Sequence, residues 1–212
     1  MLNIINKILK LMMGQIRIGV TASKTLLFLW LKKDLRLIEG KLGIDLAGGS
    51  MMNKKFFMTK RYICVDLDKQ KLKRGSNNFP DALPVNEKIE DFIKTYNQEK
   101  PDLLICIQTM GINNKFDHSH TLIVIKMIYD LLKPGGSMIF NVGSFEVNLS
   151  LIEKELNDFF KRKFKSIKIS SYGFMDKTNE KPNSYFHFFL ANLMNILPPL
   201  RTCFGFNKTN IY

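Results

Sequence analysis

The residues best suited to chemistry in this chain are small side chains and acids at set intervals. Asp45-Leu46-Ala47-Gly48-Gly49 places a carboxylate and three tiny residues directly after the apolar run Leu42-Gly43-Ile44. Residues without bulk let a backbone approach a ligand and reverse direction at positive φ. Between a strand and a helix, such a turn presents backbone N–H groups to whatever binds there. Asp66, twenty-one positions after Asp45, ends a second apolar run, Tyr62-Ile63-Cys64-Val65. A carboxylate at that place accepts hydrogen bonds from both hydroxyls of a ribose. Glu90 and Asp91 could accept from an exocyclic amine, and Ile107-Gln108 closes a third apolar run. Together these residue types describe a site for a nucleotide-like ligand.

Proton chemistry has fewer candidates. The stretch 109–120 (TMGINNKFDHSH) carries Asp117, His118 and His120. His118 is the first candidate for a general base, because an unperturbed imidazole titrates near neutral pH. The same His-Ser-His also reads as a helix start, with Ser119 as its N-cap. No metal-ligand spacing is present. Cys64, Cys106 and Cys203 are scattered, and the first two lie in apolar runs, which reads as buried thiols in a reducing compartment.

These residues need a sheet to hold them. Strands are expected at 42–47, 61–66, weakly at 84–89, at 102–108 and at 137–142, alternating with helical periodicity at 119–132 and 149–162. The near-continuous apolar run 102–108 suits a strand covered on both faces. Lys133-Pro134-Gly135-Gly136 stops the helix before it. Two further strand-like runs, 166–172 and 184–194, have no helix between them and are expected to pair as an antiparallel hairpin. The fold class is therefore α/β: a three-layer sandwich on a mostly parallel seven-stranded sheet with an antiparallel C-terminal hairpin.

Helices are also expected at 1–13 and at 23–38, the latter capped by Ser23. The expected organisation is an N-terminal helical extension (1–40), a ligand-binding domain (41–197) and an irregular tail (198–212).

The order LGIDLAGG, YICVDLD, KIEDF, DLLICIQT and YDLLKPGGSMIFNVG resembles the class I S-adenosylmethionine-dependent methyltransferase family over roughly residues 40–145. The resemblance implies a Rossmann-like methyltransferase fold with S-adenosyl-L-methionine as cofactor. Asp45, Ala47, Gly48 and Gly49 then match the turn that holds the methionine part. Asp66 matches the ribose acid, and Leu67 an apolar residue packing on adenine. Asp91 or Glu90 would sit by the adenine amine, and Ile107 and Gln108 beside the sulfonium. Ala47 departs from the family's first glycine, which is tolerable where φ stays negative.

Other nucleotide chemistries are excluded by pattern. Gly48-Gly49 is followed by Ser, Met, Met and Asn, so the dinucleotide fingerprint G-x-G-x-x-G fails, and no G-x-x-x-x-G-K-[ST] occurs. Gln108-Thr109-Met110-Gly111 does not match the Asn/Asp-Pro-Pro-Tyr/Phe motif that similar enzymes use on base or glutamine amines. A Pro-Cys nucleophile is missing too. The expected activity is O-methylation, or N-methylation of a freely accessible amine, on a small molecule or glycan.

A net charge of +13 admits an anionic partner. The alternative function is a basic RNA- or membrane-binding module with a vestigial cofactor site. Lysines run along the whole chain, so a compositional bias explains the charge and nucleic acid is not favoured. No uninterrupted apolar run is long enough to span a bilayer, and no signal-peptide pattern opens the chain. The expected location is cytoplasmic, with peripheral membrane contact through the basic amphipathic helix 1–13.

Overall fold

The computed structural model describes residues 22–110, 116–143, 147–172, 185–197 and 210–211. The expected helix 1–13 and most of the tail lie outside them. The described residues fall into two compact units, one formed by 22–35 with 185–197 and the other by the rest.

The larger unit is built on five parallel strands: β1 (Glu39–Leu46), β2 (Met58–Val65), β3 (Leu83–Val85), β4 (Leu103–Met110) and β5 (Ser137–Gly143). Their spatial order is β3-β2-β1-β4-β5. Leu42, Ile44 and Leu46 of β1 and Leu103 to Ile107 of β4 are buried, as strands covered on both faces must be. Helix α2 (Lys69–Asn78) joins β2 to β3 and α3 (Ile89–Thr95) joins β3 to β4. Helix α4 (His118–Leu131) joins β4 to β5, and α5 (Leu149–Phe160) follows β5. Strand order runs outward in both directions from β1 and β4, so right-handed crossovers cover both faces of the sheet. On one face α3 packs on α4 and α4 on α5. Val124, Ile125 and Ile128 of α4 share one core with Ile152, Leu156 and Phe160 of α5.

The parallel register brings the strand ends level. Leu46 pairs with Val65 and Cys106, and Val65 with Val85. The carboxyl edge, with its reversal of strand order between β1 and β4, is where an open α/β sheet binds ligands. At the opposite edge Asp102 locks the strand starts. Its Oδ2 accepts from the amides of Lys41 and Leu42 at 2.8 and 3.1 Å, and its Oδ1 from Lys133 Nζ at 2.8 Å. Gly40 makes room for it: a Cβ there would lie 2.6 Å from Asp102 Cβ.

The expected hairpin is not formed. Residues 185–196 are helix α6 (Tyr185–Ile196) of the smaller unit, which packs on α1 (Ala22–Leu35). The run SYFHFFLANLM is apolar all round, and periodicity alone does not separate a covered strand from such a helix. Ala191 and Met194, one turn apart, are buried. Trp30 Nε1 donates to Asn195 Oδ1 at 3.0 Å and ties α1 to α6. Ser23 lies inside α1 rather than before it, so it is not an N-cap, and α1 ends at Leu35.

Antiparallel pairing at the β5 edge comes instead from two dipeptides distant in sequence. They are β6 (Ser171–Tyr172) and β7 (Asn210–Ile211), with β7 lying between β5 and β6. The sheet thus has five parallel strands, and the short antiparallel β7 and β6 at its edge stand in place of the hairpin expected from 166–172 and 184–194.

Candidate cofactor site

The turn after β1 does not open a helix. Residues 47–57 contain a single 3₁₀ turn (Lys54–Phe56) before β2 begins. The reason is local backbone geometry: Ala47, Gly49 and Met51 all adopt left-handed φ, at 57°, 56° and 59°. Alternate left-handed residues cannot propagate an α-helix. Ala47 therefore does not keep the negative φ expected of a residue replacing glycine.

Asp45 folds back beneath this turn. It is 1% exposed, and a Cβ on Gly48 would lie 2.6 Å from its Cγ and 2.7 Å from Cys64 Sγ. Its Oδ2 accepts from Tyr62 Oη at 2.7 Å and from Asn53 Nδ2 at 3.1 Å. Burial, reinforced by the Asp45 charge, pushes the Tyr62 phenol and the Cys64 thiol well up, so both stay protonated near neutral pH. Asp45 thus acts as a support for the turn.

Asp66 faces the other side of the same turn. Its Oδ2 accepts from the Gly49 amide at 2.9 Å and its Oδ1 from the Asp68 amide at 2.8 Å. Each carboxylate oxygen keeps a further lone pair. The next residue, Leu67, is 57% exposed, and Asn86 Nδ2 pins the carbonyls of both Asp66 and Leu67. An exposed leucine beside a half-buried acid is the pairing an adenosine needs: an apolar seat for the base and acceptors for the sugar.

Glu90 and Asp91 begin α3 and diverge. Glu90 Oε1 lies 2.7 Å from His120 Nε2, while Asp91 is exposed. The His120 ring stacks on Phe116, with centroids 4.8 Å apart. On α4, Asp117 is the N-cap in place of Ser119, accepting from the His120 amide at 2.7 Å. His118 Nε2 lies 2.8 Å from Glu155 Oε2 of α5, and its buried Nδ1 has no hydrogen-bond partner among the described residues.

At the end of β4 the ladder to β5 shifts register between Cys106 and Met110. Ile107 stays buried, while Gln108 takes φ 63° and gives its amide to Asn141 Oδ1 at 2.6 Å. Burial raises the Cys106 thiol to about 12, which leaves it no nucleophilic role at neutral pH.

The structure therefore gathers Asp45, Gly48, Gly49 and Asp66 in one cluster and joins Glu90 to α4. Sequence reasoning missed Tyr62, Asn53, Asn141 and Glu155. Asn141 carried a signal, being an amide inside the apolar run Met138-Ile139-Phe140-Asn141-Val142. Glu155, one of several acids on an amphipathic helix, carried none.

No protein-family model and no curated protein sequence matches the chain. Solved structures do. The plantazolicin methyltransferase BpumL, in complex with a triazolic desmethylPZN analog and SAH, superposes with a TM-score of 0.56 at 11% identity over 91% of this chain and 84% of that one. BamL, another plantazolicin methyltransferase in complex with that analog and SAH, gives 0.54 at 12% identity over 90% and 82%. The chain has the class I S-adenosylmethionine-dependent methyltransferase fold. An S-adenosylmethionine-dependent methyltransferase from Clostridium acetobutylicum matches at 20% identity and a TM-score of 0.43, over 57% of this chain. The chain spans about half the length of that protein, at 50%. At such identities the likeness is one of fold.

Proposed function

We propose that the chain is an S-adenosylmethionine-dependent methyltransferase acting on a hydroxyl of a small molecule or glycan. One observation carries the reading: the turn after β1 ends in a 3₁₀ turn, with the Gly49 amide already taken by Asp66. A dinucleotide or nucleoside triphosphate needs a helix N-terminus there for its phosphates. An adenosyl sulfonium has no phosphate to neutralise and is better served by carboxylate and carbonyl oxygens. The structural relatives BpumL and BamL, each crystallised with SAH, support the same cofactor class.

In this reading Asp66 accepts from the ribose hydroxyls and the exposed Leu67 packs on adenine. Asp91 faces the adenine amine, with Glu90 held aside by His120. Ala47, Gly48 and Gly49 run beside the methionine part, propped from below by Asp45. Ile107 and Gln108 line the sulfonium end, where the Asn141 bond fixes the Gln108 backbone. S-adenosylmethionine, when bound, supplies a methyl carbon activated for in-line displacement. The chain's task is alignment and removal of one proton. In this reading His118, whose Nε2 is paired with Glu155, is the general base for that proton.

Isothermal titration calorimetry tests the cofactor assignment. Asp66→Ala removes two charged acceptors and should weaken S-adenosylmethionine binding about 100-fold. Unchanged affinity in that variant would refute the ribose assignment.

A further inference from the structure

The segment after α5 reads Lys161-Arg162-Lys163-Phe164-Lys165-Ser166-Ile167-Lys168, five cations in eight residues with no acid among them. All five basic residues are exposed. Lys161, Arg162, Lys163 and Lys165 form no ion pair with any carboxylate of the described residues. Lys163 Nζ lies over the Phe159 and Tyr129 rings at 3.7 and 4.7 Å, and Lys126 Nζ over Phe159 at 5.4 Å. The aromatic rings therefore hold two ammonium groups in place without neutralising them.

Beside these cations runs a surface groove of about 410 Å³, lined by Asn157, Asp158, Lys161, Phe164, Lys165 and Ser166 among others. Asn157, Lys161, Lys165 and Ser166 bring donors to it, Asp158 a carboxylate, and Phe164 and Ile167 apolar surface. Because α5 follows a strand of the parallel sheet, it runs away from the carboxyl edge. Lys163, just past its C-terminus, lies over Tyr129 in the last turn of α4, and Lys133 just beyond α4 pairs with Asp102 at the opposite edge.

We infer that this face docks the phosphodiester backbone of a nucleic-acid duplex. A concave, donor-lined groove flanked by unpaired cations suits a chain of regularly spaced phosphates. A bilayer would need a raised apolar side chain, and Ile167 at 42% exposure is the patch's only exposed large apolar residue. The rings of Phe159, Phe160 and Phe164 are spent on one another edge to face, so unpaired bases have no stacking platform here. The lysines are thus not merely dispersed: one cluster is built. This inference does not depend on the cofactor reading.

Fluorescence anisotropy of the full chain with a labelled RNA or DNA duplex of about 20 base pairs, between about 50 and 250 mM KCl, tests it. The variant K161Q/R162Q/K165Q should weaken binding at least about tenfold and flatten the log–log salt slope by about three. The control K60Q/K88Q/K94Q removes the same charge from exposed lysines elsewhere and should change affinity less than about threefold. Equal loss in both variants overturns the proposal, since the attraction would then be diffuse. So does an absence of duplex binding, or patch-dependent binding to anionic phosphatidylserine vesicles alone.

Discussion

The carboxylate of Asp45 fills the space in which a side chain at Gly48 would begin, with 2.6 Å from its Cγ to the missing Cβ. The Gly48 amide in turn donates to the Val65 carbonyl at 3.3 Å, stitching the turn to β2. Asp45, which sequence reasoning set beside a cofactor, is held under its own turn by Tyr62 and Asn53.

Gly48→Ala should therefore destabilise the fold by about 1–3 kcal/mol, because Asp45 is clamped and cannot retreat. Tyr62→Phe removes a donor from the same buried carboxylate and should cost about 1–3 kcal/mol without adding bulk. Urea melts of both variants check the pair. A Gly48→Ala protein as stable as the parent would mean that the turn is looser than described.

Ala47→Gly should stabilise the chain by about 1 kcal/mol, since an alanine at φ 57° bears the left-handed penalty that glycine escapes. Ala47→Val should do the reverse. Thermal melts of the two variants on either side of the parent are the expected pattern.

Asp102 sets an acid limit. The Lys133 ammonium and the Leu42 and Lys41 amides outweigh its partial burial and hold its carboxyl at about 2 instead of 3.8. A folded value below the unfolded one gives stability that is complete above roughly pH 5 and lost as pH falls towards 2. The contribution is about 2 kcal/mol. Asp102→Asn should show it as a deficit at pH 7 that shrinks below about pH 3, read from urea melts across pH.

Glu155→Gln keeps the shape of the His118 contact but no longer selects its tautomer. It should lower kcat about 10- to 100-fold with little change in KM. An equal change in cofactor affinity would instead make the pair a brace between α4 and α5.

What the chain betrayed in advance follows from how its signals arise. Four of the five parallel strands announce themselves as apolar runs, as in Tyr62 to Asp66, whereas the third is only Leu83–Val85 and reads weakly because Asn86, Glu87 and Lys88 follow it. The place of Asp66 at the end of β2 was legible because it closes an apolar run. The way Asp45 folds under its own turn was not, because it depends on Tyr62 and Asn53. Those partners are set by packing across strands. Helix α6 was misread because both secondary structures accept an unbroken apolar run. The 3₁₀ turn was hidden by Ala47 and Met51, residue types that seldom take positive φ.

Cys64 sits immediately beneath the glycine turn with its thiol protonated and sealed. An alkylating reagent can reach that sulfur only while the turn lifts. The rate at which such a reagent captures Cys64 would therefore record how often the turn opens.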